Sequence, residues 1–339
     1  MKYVLGIETS CDDTSVAILS EDSEVLCCLV ASQDLVHKPF GGVVPEIASR
    51  NHTANILPLI DEAIKQTGLS WDQFLGIAVT NRPGLVGSLI VGLVTAKTLA
   101  LSYNIPFVGV HHIKGHIMAP FVWDNEYKGP EWWDQKFLAL VVSGGHTQIY
   151  EADKNNFKVL GQTIDDAAGE AFDKFAKMMG LPYPGGVQVD RLAQNGDPKS
   201  YQFPKPMIND NSLNLSFSGL KSAAQRMLDK LSPEEIANNQ FDLCASYQQT
   251  IVDLLIAKLT KAQEETGVKK IVVSGGVSAN SLLRKSMEDL CQQKNCELAI
   301  PPLRYCTDNA AMIARAGLIE LQNGNFSSHD LGPSPRSAL

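Results

Sequence analysis

Tyr3-Val4-Leu5-Gly6-Ile7-Glu8-Thr9-Ser10-Cys11-Asp12-Asp13-Thr14-Ser15-Val16-Ala17-Ile18-Leu19 reads as strand, turn, strand. Both arms are apolar and rich in β-branched residues, and the tip between them is crowded with hydroxyls and carboxylates. The pattern returns at Phe137-Leu138-Ala139-Leu140-Val141-Val142, which runs into Ser143-Gly144-Gly145-His146-Thr147 and leaves through Gln148-Ile149-Tyr150-Glu151. Two such units in one chain point to an internal duplication in which each unit begins a lobe.

Outward from these units, strands alternate with helical patterns, so the fold class is α/β. A third apolar strand, Lys270 to Val273, enters Ser274-Gly275-Gly276-Val277-Ser278-Ala279-Asn280 and then a helical run to about Gln293. Glycines between a buried strand and a helix start let the backbone come close to a phosphate or ribose, although many such turns are purely structural. Ser88 to Tyr103 is apolar nearly all round and is expected to be buried. From Ile164 to Met179, Ala168, Phe172, Phe175 and Met179 form an apolar stripe, while Asp166, Glu170, Asp173 and Lys177 share the other face. Further amphipathic helices are expected over Phe241 to Lys261 and Asp308 to Gln322.

The chemistry is most visible at Val110-His111-His112-Ile113-Lys114-Gly115-His116. His112 and His116, four residues apart, fall on one helix face and can hold one metal ion together. A stable site needs a third ligand brought in by the fold, and the candidate is Asp308 in Tyr305-Cys306-Thr307-Asp308-Asn309-Ala310. The competing reading is that Asp308 only serves the start of the last helix, where a carboxylate is favourable by itself. A metalloprotease helix is disfavoured, because the position after the first histidine holds Ile113 where that motif has its glutamate base.

The 339 residues are 44% hydrophobic, enough for proper cores and for two domains. No signal peptide is read at the N-terminus, and no apolar run is read as approaching a membrane span, so a cytoplasmic address without a membrane is expected. The seven cysteines form no Cys-x-x-Cys pair and are expected to be reduced thiols. A net charge of −8 argues against gripping nucleic acid by bulk charge alone, so any RNA partner needs a local basic patch or a helper subunit.

Taken together, the sequence resembles the universal tRNA threonylcarbamoyladenosine transferase family over nearly its whole length. The motifs that carry the resemblance are Gly6 to Thr14, Gly41 to His52, His112 to His116, Val142 to Thr147, Asp165 to Lys174, Ser216 to Lys221 and Cys306 to Ala310. The resemblance implies a two-lobed actin-like, sugar-kinase ATPase fold around a cleft, with one lobe over residues 1–115 and 308–339 and the other over 116–307. It implies transfer of the threonylcarbamoyl group from threonylcarbamoyl-AMP to N6 of adenosine 37 in tRNAs reading ANN codons, with release of AMP. By the same resemblance His112, His116 and Asp308 match the ligands of one divalent metal ion, iron or zinc. Val141, Val142, Ser143, Gly144, Gly145, Asp173, Gly186, Asp190 and Asn280 match positions that hold the adenylate. Asp12 is the candidate acceptor of the amine proton. The implied partners are a bacterial TsaB-like paralogue, pairing through the N-terminal lobe, and a small TsaE-like P-loop ATPase. Two departures stand out: His111 is an extra imidazole that competes for the ligand assignment, and Asn81-Arg82-Pro83-Gly84 replaces a glycine-proline-glycine turn. Two rivals remain, a metalloprotease and a nucleotide-binding scaffold without catalysis.

Overall fold

The computed structural model describes residues 1–154, 156–336 and 339. The chain divides into two compact units, Met1–Glu131 with Pro301–Leu339, and Trp132–Ile300. These divisions differ from the 115/116 and 307/308 read from the sequence, and in the structure residues 116–131 and 301–307 fall within the first unit.

In the first unit, β1 (Tyr3–Glu8), β2 (Thr14–Ser20) and β3 (Val25–Ala31) form an antiparallel meander. The short α1 (Asp34–His37) and the long α2 (Pro45–Thr67) follow, then β4 (Phe74–Arg82), α3 (Val86–Tyr103), β5 (Phe107–His111) and α4 (His112–Met118). β4 and β5 add in parallel to give the order β3-β2-β1-β4-β5.

The second unit repeats the plan. β6 (Phe137–Val142), β7 (Thr147–Ala152) and β8 (Phe157–Gln162) form a meander, and β9 (Lys270–Ser274) and β10 (Glu297–Ala299) extend it in parallel. The order β10-β9-β6-β7-β8 matches the first sheet strand for strand, which bears out the duplication. Its helices are α5 (Ala168–Met178), α6 (Gly185–Ala193), α7 (Ser218–Leu228), α8 (Pro233–Asn238), α9 (Gln240–Thr266) and α10 (Ser281–Lys294). The chain then returns to the first unit with α11 (Ala310–Gln322), which packs on β1, β2, β4 and β5.

The central strands β1 and β6 are buried on both faces, as their uninterrupted apolar runs require. In the first unit Leu5, Ile7, Val16, Ile18, Ile77 and Phe107 join Ile56, Ile60 and Leu93 from the helices. In the second, Leu138, Leu140 and Val273 meet Phe172, Phe175, Tyr247 and Ile251, with the rings of Phe175 and Tyr247 stacked at 3.9 Å. Each such side chain contributes roughly 1.5–3 kcal/mol of burial.

The expectation of a buried helix over Ser88 to Tyr103 is corrected in part. α3 buries Ser88, Leu89, Gly92, Leu93, Ala96 and Ala100 but leaves Val94 and Leu101 55% and 66% exposed. An apolar pattern on every side thus covers two different faces, one on the sheet and one open. The expectation that no run approaches a membrane span is corrected with it, because α3 is long and apolar enough by length and composition. One third of that span is buried in the protein, and Lys97 on it donates to the Leu331 carbonyl at 2.6 Å.

Candidate functional site

His112 opens α4 and His116 follows one turn later. His111 precedes them as its N-cap, its ring Nδ1 accepting from the Ile113 N–H at 3.2 Å, so the extra imidazole is used in capping. Gly115, a poor helix former, has a packing reason. A Cβ there would lie 2.7 Å from Ile313 Cδ1 and 3.2 Å from Met312 Cγ, so its absence lets α4 lie close against α11. Gly6 does the same for β1, where a Cβ would meet the backbone of Ala310 and lie 2.9 Å from Ala314 Cβ.

Asp308 stands just ahead of α11. The helix starts two residues later than its expected beginning, and its N-cap is Asn309, whose Oδ1 accepts from the Met312 N–H at 3.0 Å. The capping alternative for Asp308 therefore falls to its neighbour. Asp308 Oδ1 lies 3.4 Å from His112 Nε2 and 3.2 Å from His116 Nε2. Ligand atoms each about 2.1 Å from a common ion at a tetrahedral angle sit about 3.4 Å apart. Both ring nitrogens of His116 are buried without a hydrogen-bond partner among the described residues, and a metal ion beside Asp308 would satisfy the Nε2 of the two. The donor set fits a divalent metal, and among the described residues it is the group of histidine, cysteine and carboxylate side chains close enough to hold one. Its mouth is on the Asp308 side, where that side chain is 25% exposed while His116 is fully covered.

Glu8 is the residue that sequence reading passed over. It is wholly buried at the end of β1, and its Oε2 lies 3.2 Å from His112 Nδ1. The electrostatics follow from these neighbours. Burial alone raises Asp308, but His112 and then His116 outweigh it and hold the carboxyl well below its usual range. Burial likewise raises Glu8, and His112 overrides it downward. For His112 burial lowers the pKa, yet Asp308 and Glu8 bring it well above the usual imidazole value. His116 goes down, by burial and then by repulsion from His112. Two ionised carboxylates here favour a cation. Asp12 lies in the β1–β2 turn of the same unit and is outside the ligand group. Burial raises its pKa, opposed by a hydrogen bond from Cys11 and reinforced by Asp308. Its neighbour Asp13 is pushed up to about 7 by burial, then by Asp308 and Asp12.

The remaining candidates belong to the second unit. Val141 and Val142 are buried in β6, and the chain then opens into Ser143, Gly144 and Gly145. Gly169 lets the start of α5 press on this loop, since a Cβ there would be 2.6 Å from the Ser143 carbonyl and 2.9 Å from Gly144 Cα. On the β9 side Gly275, at φ 88°, passes so close that a Cβ would be 2.5 Å from the Val142 carbonyl. Gly144 and Gly145 are different. Neither has a left-handed φ, and a Cβ on either would meet nothing within 4 Å among the described residues, so none of these demands glycine there.

Asp173, Asp190 and Asn280 each hold a helix start. Asp173 Oδ1 accepts from the Gly185 and Gly186 N–H groups at 2.9 and 3.1 Å, pinning the beginning of α6. Asp190 Oδ1 accepts from the Ser281 hydroxyl at 2.7 Å and its N–H at 3.2 Å, tying α6 to α10. Asn280 is the N-cap of α10, its Oδ1 accepting from the Leu283 N–H at 3.0 Å and its Nδ2 donating to Gln248 Oε1 at 2.7 Å. Gly186 leaves open room, a Cβ there meeting Phe172 Cβ at 3.6 Å.

A family model described as tRNA N6-adenosine threonylcarbamoyltransferase matches residues 24–315. The chain belongs to that family. The enzyme of that name from Bdellovibrio bacteriovorus is 52% identical over 338 residues, covering 99% of this chain and 98% of its own. The Bacillus subtilis enzyme of the same name is 48% identical, covering 98% and 94%. The chain is accordingly a transferase of tRNA modification. Solved structures similar to it include HypF from T. kodakarensis, with a TM-score of 0.62 at 12% identity over 96% of this chain and 48% of that one. Component A of the (R)-2-hydroxyglutaryl-CoA dehydratase from Acidaminococcus fermentans gives 0.54 at 15% identity over 95% and 100%. At such identity these establish the fold alone, the two-lobed actin-like architecture.

Proposed function

We propose that this tRNA N6-adenosine threonylcarbamoyltransferase takes its group from threonylcarbamoyl-AMP, acts on adenosine 37 of tRNAs reading ANN codons, and releases AMP. The observation that carries the metal-assisted form of this reading is the meeting of His112 Nε2, His116 Nε2 and Asp308 Oδ1, with the buried His116 otherwise unpartnered. A divalent ion on these three, iron or zinc, supplies Lewis-acid polarisation to substrate oxygens. In the transfer the N6 nitrogen forms a bond to the carbamoyl carbon, the bond from that carbon to the phosphate oxygen breaks, and Asp12 accepts the amine proton. The phosphate is already a good leaving group, so the protein's share is positioning and charge stabilisation.

In the second unit the backbone N–H groups of Ser143, Gly144 and Gly145 hold the phosphate. The open space over both glycines supports this, since it admits a ligand where a side chain would stand. Val141 and Val142 supply the rigid strand beneath. Asp173 keeps the Gly185–Gly186 start of α6 in place beside the ligand, Asp190 binds ribose hydroxyls, and Asn280 binds an adenine or ribose edge. Asp190→Ala should weaken AMP binding by about 1–3 kcal/mol, the size of a charge-assisted bond. Ser281→Ala removes the hydroxyl that donates to Asp190 but leaves the backbone N–H and the carboxylate, and should bind AMP nearly as the wild type does. Calorimetry giving Asp190→Ala wild-type affinity would sink this assignment.

The protein works in the cytoplasm, away from the membrane, with a paralogue of the TsaB kind and a P-loop ATPase of the TsaE kind. Support for a paired partner comes from the open apolar side of α3, with Val94 and Leu101, next to α2, where Leu57 is 60% exposed. The test of the whole reading is transfer of label from threonine-labelled threonylcarbamoyl-AMP. Label should enter ANN-reading tRNA with one AMP released per group. Equal labelling of a tRNA whose position 37 is not adenosine would overturn it.

A further inference from the structure

Glu8 is fully buried, and a buried carboxylate is costly unless its oxygens are satisfied. They are satisfied completely and asymmetrically. Oε1 accepts from the Ser10 N–H at 2.5 Å. Oε2 takes the Thr80 hydroxyl from β4 and faces His112 Nδ1 at 3.2 Å. Ser10 Oγ lies 3.1 Å from the same nitrogen. Thus the ring of His112 is gripped on its Nδ1 side by two groups of the β1 end, and its Nε2 side faces Asp308. Among the described residues His116 has no such grip on Nδ1, the nitrogen turned away from Asp308. The two imidazoles therefore differ in kind, one fixed from behind by a carboxylate and one without a hydrogen-bonded partner behind it.

The geometry points to Glu8 as the positioning residue of the metal centre: accepting the Nδ1–H of His112, it fixes the tautomer whose Nε2 lone pair faces Asp308 and His116. This rests on the metal reading above. An imidazole whose other ring nitrogen donates to a carboxylate is a better and better-oriented ligand, and loss of such a partner typically weakens metal binding by about 10–100-fold. Glu8 is carried on a central strand and braced by Thr80 on the next, so its position is set by the sheet rather than by a loop.

The test uses the full chain and zinc alone, in competition with a chromophoric chelator. Glu8→Gln keeps size and reach but removes the charge, and should bind zinc about 10–100-fold more weakly than wild type. The ligand-field spectrum of the cobalt-substituted protein should shift as well. A purely structural Glu8 would alter the melting temperature of the metal-free chain and leave both of these unmoved. Wild-type zinc affinity with an unchanged cobalt spectrum overturns the proposal. Should Glu8→Gln not fold, the wild type answers by itself. Nitrogen-15 spectra of the zinc-loaded, histidine-labelled protein should show His112 bound through Nε2 with Nδ1 protonated, and coordination through Nδ1 overturns the proposal. Failure of the metal reading looks different, because wild-type protein would then bind no zinc at all.

Discussion

Asp308→Asn is expected to bring metal content from about one ion per chain to near none under conditions that load the wild type fully, and transfer activity should fall with it. Loss of a partner behind a ligand already weakens binding by about 10–100-fold, and removing the charged ligand should exceed that. The substitution is well placed to separate roles. The cap of α11 is Asn309, so the helix start keeps its hydrogen bond to the Met312 N–H when Asp308 is neutralised. What the change removes is the negative charge of the carboxylate that both Nε2 atoms face at 3.4 and 3.2 Å, leaving at most a neutral amide oxygen, a far weaker ligand for a divalent ion. Elemental analysis and circular dichroism decide the matter. Wild-type metal content together with full activity would leave Asp308 without a ligand's role.

The second large effect concerns tRNA. With 29 Lys and Arg against 37 Asp and Glu, the isolated chain should bind this polyanion weakly. Binding should emerge with the partner subunits and then fall steeply with salt. Release of counterions from about 6–10 phosphates loses roughly 10³–10⁵ in affinity between about 50 and 200 mM salt. Filter binding across that range, with and without partners, reads both halves of the expectation. Tight, salt-insensitive binding by this chain alone, with full transfer, would show the partner-dependent reading to be wrong.

The duplicated sheet was legible because each meander opens with an apolar β-branched strand and turns at a polar tip, a local signal. The convergence of the trio was half legible. Spacing put His112 and His116 on one face, and Asp308 was a candidate before the resemblance matched it, but only the fold brings the three together. Glu8 was not legible, because its meaning lies in a partner 104 positions away; by itself it is only an acidic end to an apolar strand. The bland and sharp readings of Asp308 could not be separated from sequence, since Asp308 and Asn309 are both good caps and one residue decides which of them faces the histidines. α3 misled for a different reason: apolar residues awaiting a partner and apolar residues awaiting a core have the same pattern. Asp173, Asp190 and Asn280 were named by the resemblance alone, and their bonds to helix starts have no local signature.

The interruption of the first unit has a consequence for the order of synthesis. Trp132–Ile300 is one continuous stretch, whereas the first unit is completed only by Pro301–Leu339. A chain leaving the ribosome can close its second unit while the first still lacks the helix that covers β1, β2, β4 and β5. His112 and His116 have by then been made for almost two hundred residues' worth of translation, and Asp308 arrives last. On the metal reading proposed above, capture of the ion is a late event that doubles as a proofreading of length: a product cut short before Asp308 offers two imidazoles without the carboxylate that the fold brings to them.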